Sequence, residues 1–167
     1  MTDDPGERGS SGRLTHLDAD GRPRMVDVSA KPITDRVAVA TGQVRLSAAA
    51  AEAVAGGRGP KGDVLAVARI AGIQAAKRTW ELVPLCHPVA ITGIEVSAEL
   101  DGRLVRLEAL VRTADRTGIE MEALTAVAVA GLTVVDMVKA VDPGATIESV
   151  RVERKAGGAG GEWRRPT

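Results

Sequence analysis

Apolar residues recur along this chain in two rhythms, and the change from one to the other marks out its elements. Val37, Val39 and Val44 read residues 36–46 as a strand, and Ser47 then stands where an N-cap would open a helix over 48–55. Gly56 and Gly57 stop that helix. Asp63 can cap a second one from 64 to about 78, in which Val64, Leu65, Ala68, Ala71 and Ala75 keep helical spacing. Pro84 and Pro88 bracket a non-regular segment, because proline interrupts both helix and central strand. Ile94, Val96, Ala98 and Leu100 alternate with Glu95, Ser97 and Glu99, and Val105, Leu107, Ala109 and Val111 alternate on the way back. Asp101-Gly102 between them predicts a hairpin with a type I′ turn. Thr117-Gly118-Ile119-Glu120 fits a capping box for a long helix running to about 141, stopped by Pro143-Gly144, and a last strand covers 146–154.

The order strand, helix or helix pair, strand, strand, helix, strand predicts an α+β fold. It is the ferredoxin-like split βαβ arrangement, with an antiparallel sheet packed against helices. From 123 to 135 the long helix is apolar on nearly every side, and one small sheet covers only one face of it, so the chain is expected to be oligomeric.

With 167 residues the chain fits one domain, expected over 24–155, between flexible tails at 1–23 and, rich in glycine, at 156–167. Its 22 basic and 22 acidic side chains cancel, which argues against bulk electrostatic capture of nucleic acid or an anionic membrane. Two Trp with no Phe or Tyr leave the core to aliphatic side chains and argue against an aromatic base-stacking platform. Cys86 is the single cysteine and there are two histidines, too few for a Cys/His zinc site, so neither metal nor cofactor is expected. A reducing, cytoplasmic setting fits. The first dozen residues show no secretory pattern, and the longest charge-free runs, 82–94 and 123–135, are shorter than the roughly 20 apolar residues of a membrane span.

Against this background a few polar groups stand out. Lys61 precedes the helix capped by Asp63, where free N–H groups and the dipole favour an anion, although a solvated loop lysine beside an ordinary cap reads equally well. Lys77 and Arg78 in that helix's last turn pose the same choice. His87 lies in an otherwise apolar run, where a histidine is commonly a satisfied core group. It is nevertheless the only imidazole outside the N-terminal tail and the natural candidate for acid–base work. Cys86 has no basic neighbour in sequence and reads as packing. Glu120 is largely accounted for by the capping box, whereas Glu122 is not. Asp136 and Lys139, three apart, form an ordinary helix-surface ion pair or, at the end of a buried helix, a partly desolvated pair held against a ligand.

Taken in order, these segments closely resemble the cyclic pyranopterin monophosphate synthase family of molybdenum-cofactor biosynthesis. The resemblance rests on Met25-Val26-Asp27-Val28-Ser29, Lys61-Gly62-Asp63-Val64-Leu65, Ala68-Arg69-Ile70-Ala71-Gly72-Ile73 and Pro84-Leu85-Cys86-His87-Pro88. It continues through Thr117-Gly118-Ile119-Glu120-Met121-Glu122-Ala123-Leu124-Thr125-Ala126 and Asp136-Met137-Val138-Lys139-Ala140 to Lys155.

The resemblance implies a lyase, a hexamer built as a trimer of dimers, and active sites at subunit interfaces. The implied reaction rearranges a cyclised dihydro-GTP intermediate to cyclic pyranopterin monophosphate and releases pyrophosphate. It further implies a catalytic set of Asp136, Lys139, Lys61 and His87, and substrate contacts from Leu85, Cys86, His87, Met121, Glu122, Glu120, Lys77 and Lys155. Arg116, Val138 and Ala159 depart from the family's usual lysine, cysteine and glycine-rich tail pattern. The competing reading is a non-catalytic nucleotide- or metabolite-sensing oligomer, which needs the anion-binding lysines but not the proton-transfer set.

Overall fold

The structure, a computed structural model, describes residues 20–57 and 59–166. Along the chain run β1 (Thr34–Arg45), α1 (Ala48–Ala55), α2 (Val64–Ala76), the single-turn α3 (Thr79–Leu82), β2 (Ile91–Asp101), β3 (Leu104–Asp115), α4 (Glu120–Val138), β4 (Thr146–Ala156) and β5 (Trp163–Arg164). The strands form one antiparallel sheet in the order β2-β3-β1-β4-β5. The first four in this order are those of the split βαβ fold, so the ferredoxin-like α+β class read from the sequence is the observed one.

Alternation decides which face of the sheet is covered. Ala38, Ala40 and Val44 of β1 and Val105, Leu107, Ala109 and Val111 of β3 are buried, and they meet Ala123, Ala126, Val127, Ala130 and Val134 of α4 in one core. Small residues let these layers approach closely. A Cβ on Gly42 would come within 2.7 Å of a Val127 methyl, and one on Gly72 of α2 within 3.0 Å of the Ala126 carbonyl of α4. α2 therefore lies directly on α4 and covers part of the apolar circumference that the sheet leaves. By length and composition α4 resembles a membrane-spanning helix, but half of it is buried inside this fold. Leu132 of α4, Ile70 of α2 and Leu82 of α3 stay exposed. The opposite sheet face carries polar and charged groups, among them Thr41, Gln43, Ser97, Glu99, Arg106 and Glu108.

Two helix starts follow the sequence directly: Ser47 accepts from the Ala50 N–H and Asp63 from the Ala66 N–H. Three local expectations are corrected. The β2–β3 loop is Gly102-Arg103, flanked by the pair Asp101 and Leu104, and of its two residues only Gly102 has positive φ, at 58°. A type I′ turn needs positive φ at both central residues, so the turn has the φ signs of type II′, with glycine first. No capping box forms at α4: its N-cap is Ile119, without a side-chain bond, and Glu120 is drawn away to Lys155. α4 also ends at Val138 rather than near 141. There the chain tightens into a turn in which both Val141 and Asp142 N–H groups bond the Val138 carbonyl. Asp142 is buried and its carboxylate accepts from the Ser47 and Gly144 N–H groups, tying the end of α4 to the start of α1.

The N-terminal tail expected over 1–23 lies, through residue 19, outside the described residues. The glycine-rich segment after 156 turns through Gly157, Gly158 and Gly161, all at positive φ, and returns as β5 against β4.

Candidate active site

Two groups of polar side chains form at opposite ends of α4. At its C-terminal end, Asp136 accepts from the Lys61 Nζ at 2.6 Å through one carboxylate oxygen and from the Lys139 Nζ at 2.8 Å through the other. Lys139 is the C-cap of α4, one turn from Asp136. Lys61 arrives from a tight turn, Gly59-Pro60-Lys61-Gly62, closed by the Gly62 N–H on the Gly59 carbonyl at 3.0 Å. Proline in the second position presets that turn, and φ of 100° at Gly62 suits glycine. The two ammonium groups, Lys139 first, hold the Asp136 carboxyl down at about 2. All three side chains are about half exposed, so the desolvated pair that the sequence suggested is not present within one chain. Exposed ion pairs add little stability, so this cluster contributes little to folding.

At the N-terminal end, the 85–89 loop, the irregular segment near 26–31 and the first turn of α4 enclose a cleft of 480 Å³. Leu85, Cys86, His87, Glu120, Met121 and Glu122 all line it, together with Val26, Lys31, Thr117 and Gly118. His87 Nε2 lies 2.8 Å from the Val26 carbonyl. A carbonyl only accepts, so that nitrogen carries the proton in the neutral ring and Nδ1 is left as its acceptor. Glu122 is 4% exposed, and burial, reinforced by the charge of Glu120, pushes its carboxyl up to about 7. Burial also raises the Cys86 thiol, with the Glu122 charge adding to it, so the thiol stays protonated and inert, in keeping with a packing role.

Glu120 lines both this cleft and a smaller hollow that it shares with Arg36 and Lys155. Burial pushes its carboxyl up, but the Lys155 ammonium at 2.8 Å, its own backbone N–H and the charge of Arg36 outweigh that and leave it below the ordinary glutamate value. Lys77, in contrast, lines a separate hollow with Ile73, Ile91 and Ile94, which meets the His87 cleft only at Val89. Arg36 was not singled out from the sequence. It donates to the Asp115 and Arg116 carbonyls and so holds the loop that leads into α4. No sequence pattern signals contacts between residues 79 and 80 positions apart. Among the described residues no cluster of His, Cys, Asp or Glu has the arrangement of a metal site.

The two groups do not meet within one chain. Asp136 is fourteen residues beyond Glu122 on the same regular helix, about 21 Å along its axis at 1.5 Å per residue.

Comparison with known proteins gives these groups a context. Proteins named cyclic pyranopterin monophosphate synthase from Streptomyces coelicolor and Thermomicrobium roseum are 57% and 58% identical to this chain. The matches cover 92% and 91% of it and 90% and 93% of those relatives. A protein from Mycobacterium tuberculosis named cyclic pyranopterin monophosphate synthase 2 is 53% identical, over 93% of both chains. The family model described as the MoaC family matches residues 25–158, which include β1 to β4 and both polar groups. The chain belongs to the MoaC family.

Proposed function

We propose that this chain is a cyclic pyranopterin monophosphate synthase. As a lyase of the cytoplasm it would convert the cyclised dihydro-GTP intermediate of molybdenum-cofactor biosynthesis to cyclic pyranopterin monophosphate and release pyrophosphate. The observation that carries the reading is the convergence of Lys61 and Lys139 on the two oxygens of Asp136. It supplies a carboxylate that stays ionised at neutral pH between two ammonium groups that can donate protons. Rebuilding a purine-derived ring needs protons delivered and removed, and expelling pyrophosphate develops negative charge that cations stabilise.

The roles follow from the charge states. Asp136, held near 2, stays a carboxylate at neutral pH, too weak a base to hold a proton there, and its part is to orient the two lysines. Lys139 and Lys61 are the donors and the cationic partners of developing charge. Glu122, raised to about 7, can hold a proton at neutral pH beside His87, whose Nδ1 can accept one. Lys155 faces the triphosphate once it leaves Glu120. Because the Asp136 and Glu122 ends of α4 are far apart, a substrate of this size would meet both only where two copies of the chain adjoin. Exposed Ile70, Leu82 and Leu132 provide apolar surface for such contacts, in line with an assembly of three dimers.

Incubation with the cyclised dihydro-GTP intermediate tests the reading: pyrophosphate and a pyranopterin should appear together. Asp136→Asn and Lys139→Ala should fold and assemble as the parent does and lose turnover by about a hundredfold or more. Saturable binding without product would instead identify a sensing protein, and near-parental rates in both variants would remove these residues from the mechanism.

A further inference from the structure

The last strand does more than lengthen the sheet. In the β4–β5 pairing Trp163 stands directly opposite Lys155, so the two side chains leave the same face of the sheet from neighbouring positions. Trp163, Lys155, Val152 and Glu120 line one hollow of 340 Å³, and Glu120 is the residue it shares with the His87 cleft. Trp163 is itself braced. The Arg165 guanidinium lies over its ring, 5.7 Å from the centroid, and its Nε donates to the Val152 carbonyl at 2.9 Å while facing the Glu153 carboxylate at 3.5 Å. The Arg165 N–H adds a bond to the Glu153 carbonyl at 2.8 Å. Glu153 is in turn held by Thr41 of β1, at 2.6 Å. Thus a chain of contacts runs from the middle of the sheet through Arg165 and Trp163 to the flank of Lys155.

Such bracing bears on a lysine more than on most residues. Its four-carbon stem has many rotamers, and a fixed aromatic wall beside it narrows them before any ligand arrives. The ammonium is thereby offered beside Glu120, from which a phosphate oxygen can take it over by exchanging one anionic partner for another.

We propose that Trp163 and Arg165 are positioning residues that set the side chain of Lys155 for the phosphate groups of the substrate. The inference rests on the synthase reading for the identity of that substrate. Neither residue touches the reacting atoms; both act through Lys155.

The test uses the full-length protein in its native assembly. Trp80, half exposed on α3 and outside both polar groups, is replaced by phenylalanine so that Trp163 is the only indole. Titration with inorganic pyrophosphate, the product, should change the Trp163 emission saturably, and Lys155→Ala should abolish the change. In turnover, Trp163→Ala should raise KM about tenfold and weaken pyrophosphate inhibition in proportion, with kcat within about twofold of the parent. Trp163→Phe should restore KM, and Arg165→Ala should fall between. A purely structural role would lower thermal stability or assembly without this split between KM and kcat. An emission that ignores saturating pyrophosphate, or a Trp163→Ala enzyme with parental KM, overturns the proposal while leaving the synthase reading intact. A parent protein that shows the pyrophosphate response yet never turns over the intermediate has the opposite meaning: the positioning holds and the synthase reading fails.

Discussion

Glu122 shows how a single residue's surroundings become a measurable property. Its carboxyl has an ordinary value of 4.5 in the unfolded chain and about 7 in the fold, chiefly because burial disfavours its charge. Between those values the unfolded chain releases the proton and the folded chain keeps it, so the fold binds more protons and stability falls as pH rises from about 4.5 to about 7. Glu122→Gln removes the titration. Thermal unfolding at pH 5 and pH 8 should therefore show the parent losing stability relative to the variant across that interval, and parallel curves would mean that Glu122 ionises normally. If the protonated carboxyl serves the reaction, kcat/KM should also decline as pH rises through about 7, and this limb should disappear in Glu122→Gln. Asp136 behaves in the opposite sense. With its folded value near 2, whatever it adds to stability is present above about 4 and is lost as pH falls towards 2, so it contributes no pH dependence near neutrality. The sequence offered Asp136 with Lys139 through their spacing on one helix. It set Glu122 apart from Glu120 only through a capping box that does not form, and the burial of Glu122 comes from the packing of that first turn.

Among the elements, α4 matters most, since its two ends carry the two polar groups and its middle carries the core. The approach of the sheet to this helix depends on Gly42. A Cβ there would lie 2.7 Å from one methyl of Val127 and 3.2 Å from one of Val150, and β-branched side chains have few other rotamers to adopt. Gly42→Ala should cost roughly 1–3 kcal/mol by overpacking. If the clash is with Val127, adding Val127→Ala should recover part of that cost, so the denaturation free energies of the double variant and the two single variants should not add. Strict additivity would place the strain elsewhere. The starts of α1 and α2 and the alternation of β2 and β3 were legible in the sequence because caps and two-residue periodicity are settled by neighbours in the chain. The capping box at α4 failed for the opposite reason. A partner 35 residues away, Lys155, takes up the Glu120 carboxylate that the local pattern had assigned to the helix start.

At the scale of the whole molecule, the length of α4 forces a choice. If Glu122 and Asp136 act on one small substrate, they must come from different copies of the chain. Unfolding Glu122→Ala and Asp136→Ala proteins together and reassembling them should then restore a fraction of activity, because some interfaces unite two unmutated ends. Inactive mixed assemblies, beside active mixtures of parent with either variant, would assign both carboxylates to a site within one subunit. The sequence by itself determined the class of fold and the order of its elements, since strand alternation, the Ser47 and Asp63 caps and the proline-bracketed loop at 84–88 are all local signals. It also carried the residues of both polar groups, as types in a recognisable order. Only the tertiary structure decided which of them meet. Lys61 reaches Asp136 across 75 positions, His87 reaches Val26 across 61, and β5 brings Trp163 opposite Lys155. Those pairings depend on sheet register and on where each helix end lies over the sheet, and both are set by burial of the whole core rather than by any stretch of neighbouring residues.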